Sequence, residues 1–254
     1  LKYVLDLMEQ SIGQDILFLP ELTNCISSDW VHLNKVLGLY EGNFFIKKIS
    51  ERARDLKIWV ALGSVVVKVN RTDERYVNRS ILINSNGDIV AWYDKIHMFD
   101  VTLSDTESYQ ESKHYQKGKH AVLAQTPWAN IGLTICYDLR FAGLYRTLAK
   151  SGAQILTAPA AFTCSTGEAH WHTLIKSRAI ETGCFLIASA QTGEHPGSKR
   201  KTYGHSLIVN PWGEVILDGG KLPGLFFAKL NLSEVKSARN RIPSLTDDSE
   251  FKIR

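Results

Sequence analysis

Apolar positions along this chain fall into two alternating periods. Val4, Leu5, Met8 and Ile12 recur at helical spacing and predict a helix over Leu1 to Ile12, closed by Gly13. The continuous run Ile16-Leu17-Phe18-Leu19 predicts a buried strand that stops at Pro20-Glu21. Phe44, Phe45, Ile49, Ala53 and Leu56 share one face of a second helix with Asn43 as its N-cap, and Ile58 to Leu62 reads as the strand after it. The pattern then changes to successive strands over Val65 to Val69, Tyr76 to Asn84 and Asp88 to Tyr93. Asn86-Gly87 joins the last two as a two-residue hairpin signal, so the sheets are mixed and not purely parallel.

From Val101 to Lys119 no period survives and the composition turns polar, which predicts a long surface loop, a candidate lid. Strands over Ala121 to Gln125 and Ile131 to Ile135 follow, then a helix over Phe141 to Lys150 and a strand over Ile155 to Ala158. Trp171 to Thr182 reads as helix and Cys184 to Ala190 as strand. Ser206 to Asn210 and Glu214 to Leu217 form a hairpin around Pro211-Trp212-Gly213, before a strand over Leu225 to Leu230 and a polar tail from Thr246. No repeat or linker interrupts the alternation. The expectation is one α/β domain over residues 1–254.

Composition narrows the function classes. Of 254 residues 44% are hydrophobic and 22% charged, ordinary globular usage. The formal charge of +4 is spread without long runs, the densest being Lys199-Arg200-Lys201, which argues against a nucleic-acid partner. The longest apolar stretch, Ile58 to Val67, is broken by Gly63 and Ser64 and is too short for a membrane span. Four widely spaced cysteines, Cys25, Cys136, Cys164 and Cys184, suit a reducing, cytoplasmic setting better than a disulfide scaffold or a metal knuckle.

Three strands end in chemically useful residues: Glu21, Lys95 and Cys136. Ligands in open α/β sheets bind beyond the carboxyl ends of strands. If these ends share a rim, a carboxylate, an ammonium and a thiol suffice for acyl transfer, with the thiol as nucleophile, Glu21 as base and Lys95 as oxyanion partner. Each has a plainer reading: a small buried hydrophobe for Cys136, a surface charge for Glu21, an ion pair with Asp94 for Lys95. Two rival classes also stand. A Cys–His hydrolase would recruit His97, His170, His172 or His205; a zinc hydrolase would use His170-Trp-His172, although two helical residues apart the rings splay by ~200°. An inactive partner-binding scaffold is the non-enzyme alternative.

The local sequences Leu17-Phe-Leu-Pro-Glu21, Tyr93-Asp-Lys95-Ile-His-Met-Phe-Asp100 and Gly132-Leu-Thr-Ile-Cys136-Tyr-Asp-Leu-Arg140-Phe141 resemble the nitrilase superfamily of carbon–nitrogen hydrolases. The likeness continues through Ala169-His-Trp171, Arg178-Ala-Ile-Glu181, Tyr203-Gly-His-Ser206 and Asn210-Pro-Trp-Gly213, and is nearest to the branch containing deaminated glutathione amidase and ω-amidase. The resemblance implies a four-layer α-β-β-α sandwich with mixed sheets, and pairing into a homodimer or higher homo-oligomer. It also implies a first strand before the opening helix, which this chain lacks. By the same resemblance Glu21 is the general base, Lys95 the oxyanion-stabilising cation and Cys136 the nucleophile. Glu111 matches the family's second glutamate better than Glu107. The expected substrate is a small amide hydrolysed to acid and ammonia through a thioester, with no metal or organic cofactor; nitriles and N-carbamoyl acids are the alternatives within the superfamily. The Tyr137 N–H would assist the oxyanion. A substrate carboxylate would need a cation, Arg140, Lys199 or Arg200, and Glu168 would weigh against an anionic substrate if it faced the pocket.

Overall fold

The computed structural model describes residues 1–254 apart from positions 28, 70, 71, 74, 197, 199 and 254. The chain opens with α1 (Lys2–Gln10), β1 (Ile16–Phe18), α2 (Trp30–Val36) and α3 (Phe44–Leu56). Asn43 caps α3 by accepting from the Ile46 N–H at 3.2 Å, as its short polar side chain before an apolar face predicts. β2 (Trp59–Val67), β3 (Val77–Ile83) and β4 (Ile89–Asp94) complete a sheet in the order β1-β2-β3-β4, with β1 and β2 parallel and the others antiparallel. Val4 and Met8 of α1 and Ile46, Ile49 and Ala53 of α3 pack on one face of it, against Val60, Leu62, Val65 and Ile81.

The second half begins with a two-stranded ribbon, β5 (Asp100–Ser104) and β6 (Glu107–Gln110), followed by β7 (Val122–Gln125), β8 (Asn130–Leu133), α4 (Ala142–Lys150), β9 (Ile155–Thr157) and α5 (Cys164–Thr182). β10 (Phe185–Ala188), the small pair β11 (Thr192–Glu194) and β12 (Lys201–Tyr203), β13 (Leu207–Val209), β14 (Val215–Asp218) and α6 (Ser233–Arg241) close the chain. The larger sheet runs β14-β13-β10-β9-β8-β7 and is again mixed. Tyr145 and Leu148 of α4 and Trp171, Ile175 and Ala179 of α5 cover its outer face. The two sheets meet through Ala61, Leu82 and Ala124, so the layers are α-β-β-α, as expected. Among the described residues no helix is long and apolar enough to cross a membrane.

The departures from the sequence reading have local causes. Ile58 to Leu62 and Val65 to Val69 are not two strands but one, β2, with a register shift between Leu62 and Val65. Gly63 does not break it: a Cβ there would lie 1.9 Å from the Leu19 carbonyl oxygen and 2.4 Å from Pro159, so glycine is what lets the two sheets approach. The expected loop over Val101 to Lys119 holds the β5–β6 ribbon, whose apolar face on β5 is only the half-buried pair Val101 and Leu103, too short an alternation to read as a strand. α5 starts seven residues before the predicted Trp171, because Ser165, Thr166 and Gly167 are weak helix formers; a Cβ on Gly167 would sit 2.3 Å from the Tyr203 ring. Leu225 to Leu230 forms no strand. Its apolar spacing reflects Leu225 packing on the first core and Leu230 on the second. α2, α6 and the β11–β12 pair were not visible in the pattern.

Candidate active site

Glu21 sits in the turn after β1. Ser64 pins that turn by accepting from the Leu22 N–H at 2.9 Å and donating its own N–H to the Pro20 carbonyl at 3.2 Å. Lys95 follows β4, its N–H bonded to the Asn78 carbonyl at 3.0 Å and its carbonyl accepting from Gly118 at 2.8 Å. Cys136 follows β8 at φ 48°, a left-handed conformation that non-glycine residues seldom take; its N–H is held by the Pro159 carbonyl at 2.9 Å. A short 3-10 turn, Cys136–Arg140, starts there. The strained bend lifts the thiol out of the sheet toward Glu21, the placement a nucleophile needs. The β5–β6 ribbon brings in Glu111.

These four side chains share the floor of a cavity of about 970 Å³. Lys95 Nζ donates to Glu21 Oε1 at 3.0 Å and to both oxygens of Glu111 at 2.9 Å. Glu21 also accepts from Asn78 Nδ2 at 2.9 Å and from the Ala161 N–H at 2.8 Å, and its carboxylate takes the hydrogen bond of the Cys136 thiol. Glu111 accepts from the Phe99 N–H at 2.6 Å. Glu107, the weaker sequence candidate, instead accepts from the Tyr109 hydroxyl at 3.0 Å. Asp94, the plain partner expected for Lys95, pairs with Arg79 at 2.7 Å.

Burial in this site works against every charge, and the neighbours decide which charges survive. Burial raises the Glu21 pKa, but Lys95, Arg200 and hydrogen bonds from Cys136 and Lys95 outweigh it and hold the carboxyl below its usual range. Burial opposes the Lys95 ammonium, yet Glu111 and Glu21 raise its pKa well above that of a free lysine. Burial and then Glu21 push the Cys136 thiol up, against Lys95 and Arg200. The resting site is therefore a neutral thiol hydrogen-bonded to a carboxylate, with one ammonium between two carboxylates.

A second layer fixes these groups. Asp138, fully buried, accepts from Tyr93 Oη at 2.7 Å, the Ile135 N–H at 2.9 Å, the His97 N–H at 3.1 Å and His97 Nδ1 at 2.7 Å. It thereby ties the segment two residues after Lys95 to the turn two residues after Cys136. Neither Asp138 nor Asn78 was singled out from the sequence. The available signals were a carboxylate inside the Cys136 motif and a polar residue within a buried strand. His97 is committed to Asp138 and stacks on Phe141 at 3.5 Å, which removes it as a partner for the thiol.

Tyr137 lines the cavity; the first turn of a helix leaves N–H groups without intrahelical partners, which suits its backbone to an incoming oxygen. Arg140, expected to bind substrate, is not among the lining residues. Its guanidinium lies over the rings of Phe162 and Tyr137, 5.4 and 5.9 Å from their centroids, and 3.4 Å from His170. Among the cations on the wall is Arg200, anchored on the Ala161 carbonyl and packed over Tyr109 and Phe99, its buried Nε without a partner among the described residues. Lys199 lies outside the described residues. Glu168 does not face the cavity; it is exposed and points to Lys221 at 3.9 Å.

Fold and site together define a carbon–nitrogen hydrolase. Residues 1–240 match the family model described as carbon-nitrogen hydrolase, and the chain belongs to that family as an enzyme of the amidase type. More particularly, it is 41% identical over 200 residues to the deaminated glutathione amidase of Yersinia enterocolitica, covering 78% of this chain and 70% of that one. It is 37% identical to the human protein of the same name, over 91% of this chain and 71% of that one. Among solved structures it is similar to the Caenorhabditis elegans NitFhit protein, with TM-score 0.87 and 34% identity over 95% of this chain. The chain spans 59% of the length of NitFhit. Saccharomyces cerevisiae Nit3, a member of branch 10 of the nitrilase superfamily, matches with TM-score 0.83 and 25% identity over 98% of this chain and 88% of its own.

Proposed function

We propose that this enzyme hydrolyses the terminal amide of a small carboxylate-bearing substrate through a thioester on Cys136, releasing ammonia. The observation that carries the reading is the buried Glu21 carboxylate, which accepts the Cys136 thiol and shares Lys95 with Glu111. Because thiol and carboxylate are the resting forms, proton transfer accompanies attack: Glu21 takes the proton as Sγ adds to the amide carbonyl. The oxyanion is held by Lys95 Nζ and the Tyr137 N–H. Glu21 returns the proton to the departing nitrogen, ammonia leaves, and Glu21 then activates a water that cleaves the thioester to acid and thiol. Glu111 holds Lys95 in place and keeps it charged.

A substrate carboxylate suits the cationic side of the cavity, where Arg200 is exposed to a ligand and Arg140 stands across the Phe162 ring. Glu168 points elsewhere and does not oppose an anion. The names of the relatives at 41% and 37% identity support an amide of this kind. The same reading makes the protein a cytoplasmic homodimer or higher homo-oligomer, in keeping with four free cysteines.

The test is a panel of ω-amides of keto acids, nitriles and N-carbamoyl acids, with ammonia detection on the wild type and Cys136→Ala. Turnover of the carboxylate-bearing amides and its loss in Cys136→Ala are expected, together with inactivation by iodoacetamide but not by chelator. A nitrile yielding acid while every amide stays inert overturns the amidase reading.

A further inference from the structure

Away from the cavity, two imidazoles gather around one carboxylate. His172 Nε2 donates to Asp218 Oδ2 at 3.0 Å, and His205 Nδ1 lies 2.8 Å from Oδ1 and 3.0 Å from Oδ2 of the same residue. Among the described residues these three form a group whose donor atoms all fall within 4.8 Å of one another. The sequence expectation of His170 and His172 as a pair fails on the predicted splay: His170 turns to Arg140, His172 to Asp218. His172 acquires its companion from another segment, the turn after β12.

We propose that His172, His205 and Asp218 form a binding site for a divalent first-row transition ion, zinc in particular, separate from the catalytic cavity. Two imidazoles and a carboxylate are the donor set such ions favour. In a tetrahedral zinc site, with bonds of about 2.0–2.2 Å, donors stand ~3.3 Å apart; here each imidazole nitrogen lies 2.8–3.0 Å from the carboxylate, and all three donors lie within 4.8 Å of one another. To bind the ion through Nε2 of His172 and Nδ1 of His205, each imidazole must carry its single proton on the other ring nitrogen, and Asp218 exchanges two N–H donors for the ion.

The site is also held in place and open. Trp171 Nε1 donates to the His205 carbonyl at 2.8 Å, His205 N–H to the Gly220 carbonyl at 2.7 Å and Gly220 N–H to Asp218 at 2.8 Å, so all three segments are fixed to one another. The side chains of His172 and Asp218 remain 36% and 34% exposed, leaving a route for the ion and for water. Glu168 lies one helical turn before His172 on the same face and is loosely engaged with Lys221 at 3.9 Å. Water supplies the fourth ligand. The ion would clip α5, whose first turn lines the cavity, to the edge strand β14.

The experiment uses Cys136→Ala protein, which removes the catalytic thiol as a competing ligand, freed of metal by chelator and then of chelator. Zinc chloride is titrated by calorimetry, and cobalt chloride by visible absorption. One saturable site, a rise in Tm with zinc and a nitrogen–oxygen cobalt spectrum are expected. Adding His172→Ala or Asp218→Asn should weaken binding by about tenfold or more and remove the rise in Tm. Absence of saturable binding, binding unchanged by both substitutions, or a thiolate-to-cobalt band overturns the proposal. The outcome does not depend on which amide the enzyme cleaves.

Discussion

Two carboxylates in this protein each hold histidine, and they behave as opposites. Asp138 is sealed, accepts four hydrogen bonds and stands two residues after Cys136. Asp218 is a third exposed and gathers His172 and His205 at the molecular surface. The sealed region extends to Lys95 and Glu21, whose side chains are 2% and 4% exposed. With water excluded, protonation there is dictated by neighbours, so the arrangement stores a base and a cation at neutral pH. In the open region water competes for every group, and an exchangeable ligand can take its place.

The largest effect that would test this contrast is that of Lys95→Ala. It leaves the buried Glu21 and the half-buried Glu111 without their shared cation and removes the proposed oxyanion donor. kcat should fall by ~10³-fold or more, and stability by about 3–5 kcal/mol, read by ammonia release and denaturant melts. Activity within tenfold of wild type would end the view of a sealed, charge-dependent site.

Next comes a paired substitution. Asp138→Asn turns an amide N–H toward existing donors, so kcat should drop ~10–100-fold with KM little changed, and Tm should fall. Asp218→Asn, measured alongside it without added metal, should alter kcat/KM by less than about threefold. Equal losses would erase the distinction between the regions.

The smallest effect is a pH dependence. The folded pKa of Glu21 is depressed, so its contribution to stability is complete above the ordinary carboxyl range and is lost as pH falls below about 4.5 toward the folded value. Lys95, with its pKa raised, contributes fully at and below neutral pH and loses that contribution only as strongly alkaline pH approaches its folded value. Melting temperatures measured between pH 7 and 3 should therefore decline less steeply in Glu21→Gln than in the wild type. A steeper decline in the variant contradicts the depressed pKa.

Much of the site was legible because strand ends announce themselves: Glu21, Lys95 and Cys136 each follow an apolar run that stops abruptly. Glu111 was harder, since the ribbon before it has too short an apolar alternation to read and only the family resemblance distinguished it from Glu107. Asn78 was hidden inside a fully buried strand, in the polar run Asn78-Arg79-Ser80, and nothing in that run marks it out until Glu21 is found 2.9 Å away. Arg140 and Arg200 are equally basic in a string of letters; the Phe162 ring that helps to occupy Arg140 is its neighbour only in space.

Periodicity, capping and turn chemistry, all short-range properties, determined the alternation of helix and strand and the mixed sheets, and put candidate reacting groups at strand ends; the family resemblance, not the pattern, attached roles to them. The tertiary structure alone decided their ionisation, since the forms of Glu21, Lys95 and Cys136 depend on burial and on charges brought from segments as far apart as Glu21 and Ala161. It alone also brought His172 to Asp218, because a helix sends its own neighbouring side chains to opposite sides and a cluster must be completed from elsewhere in the chain.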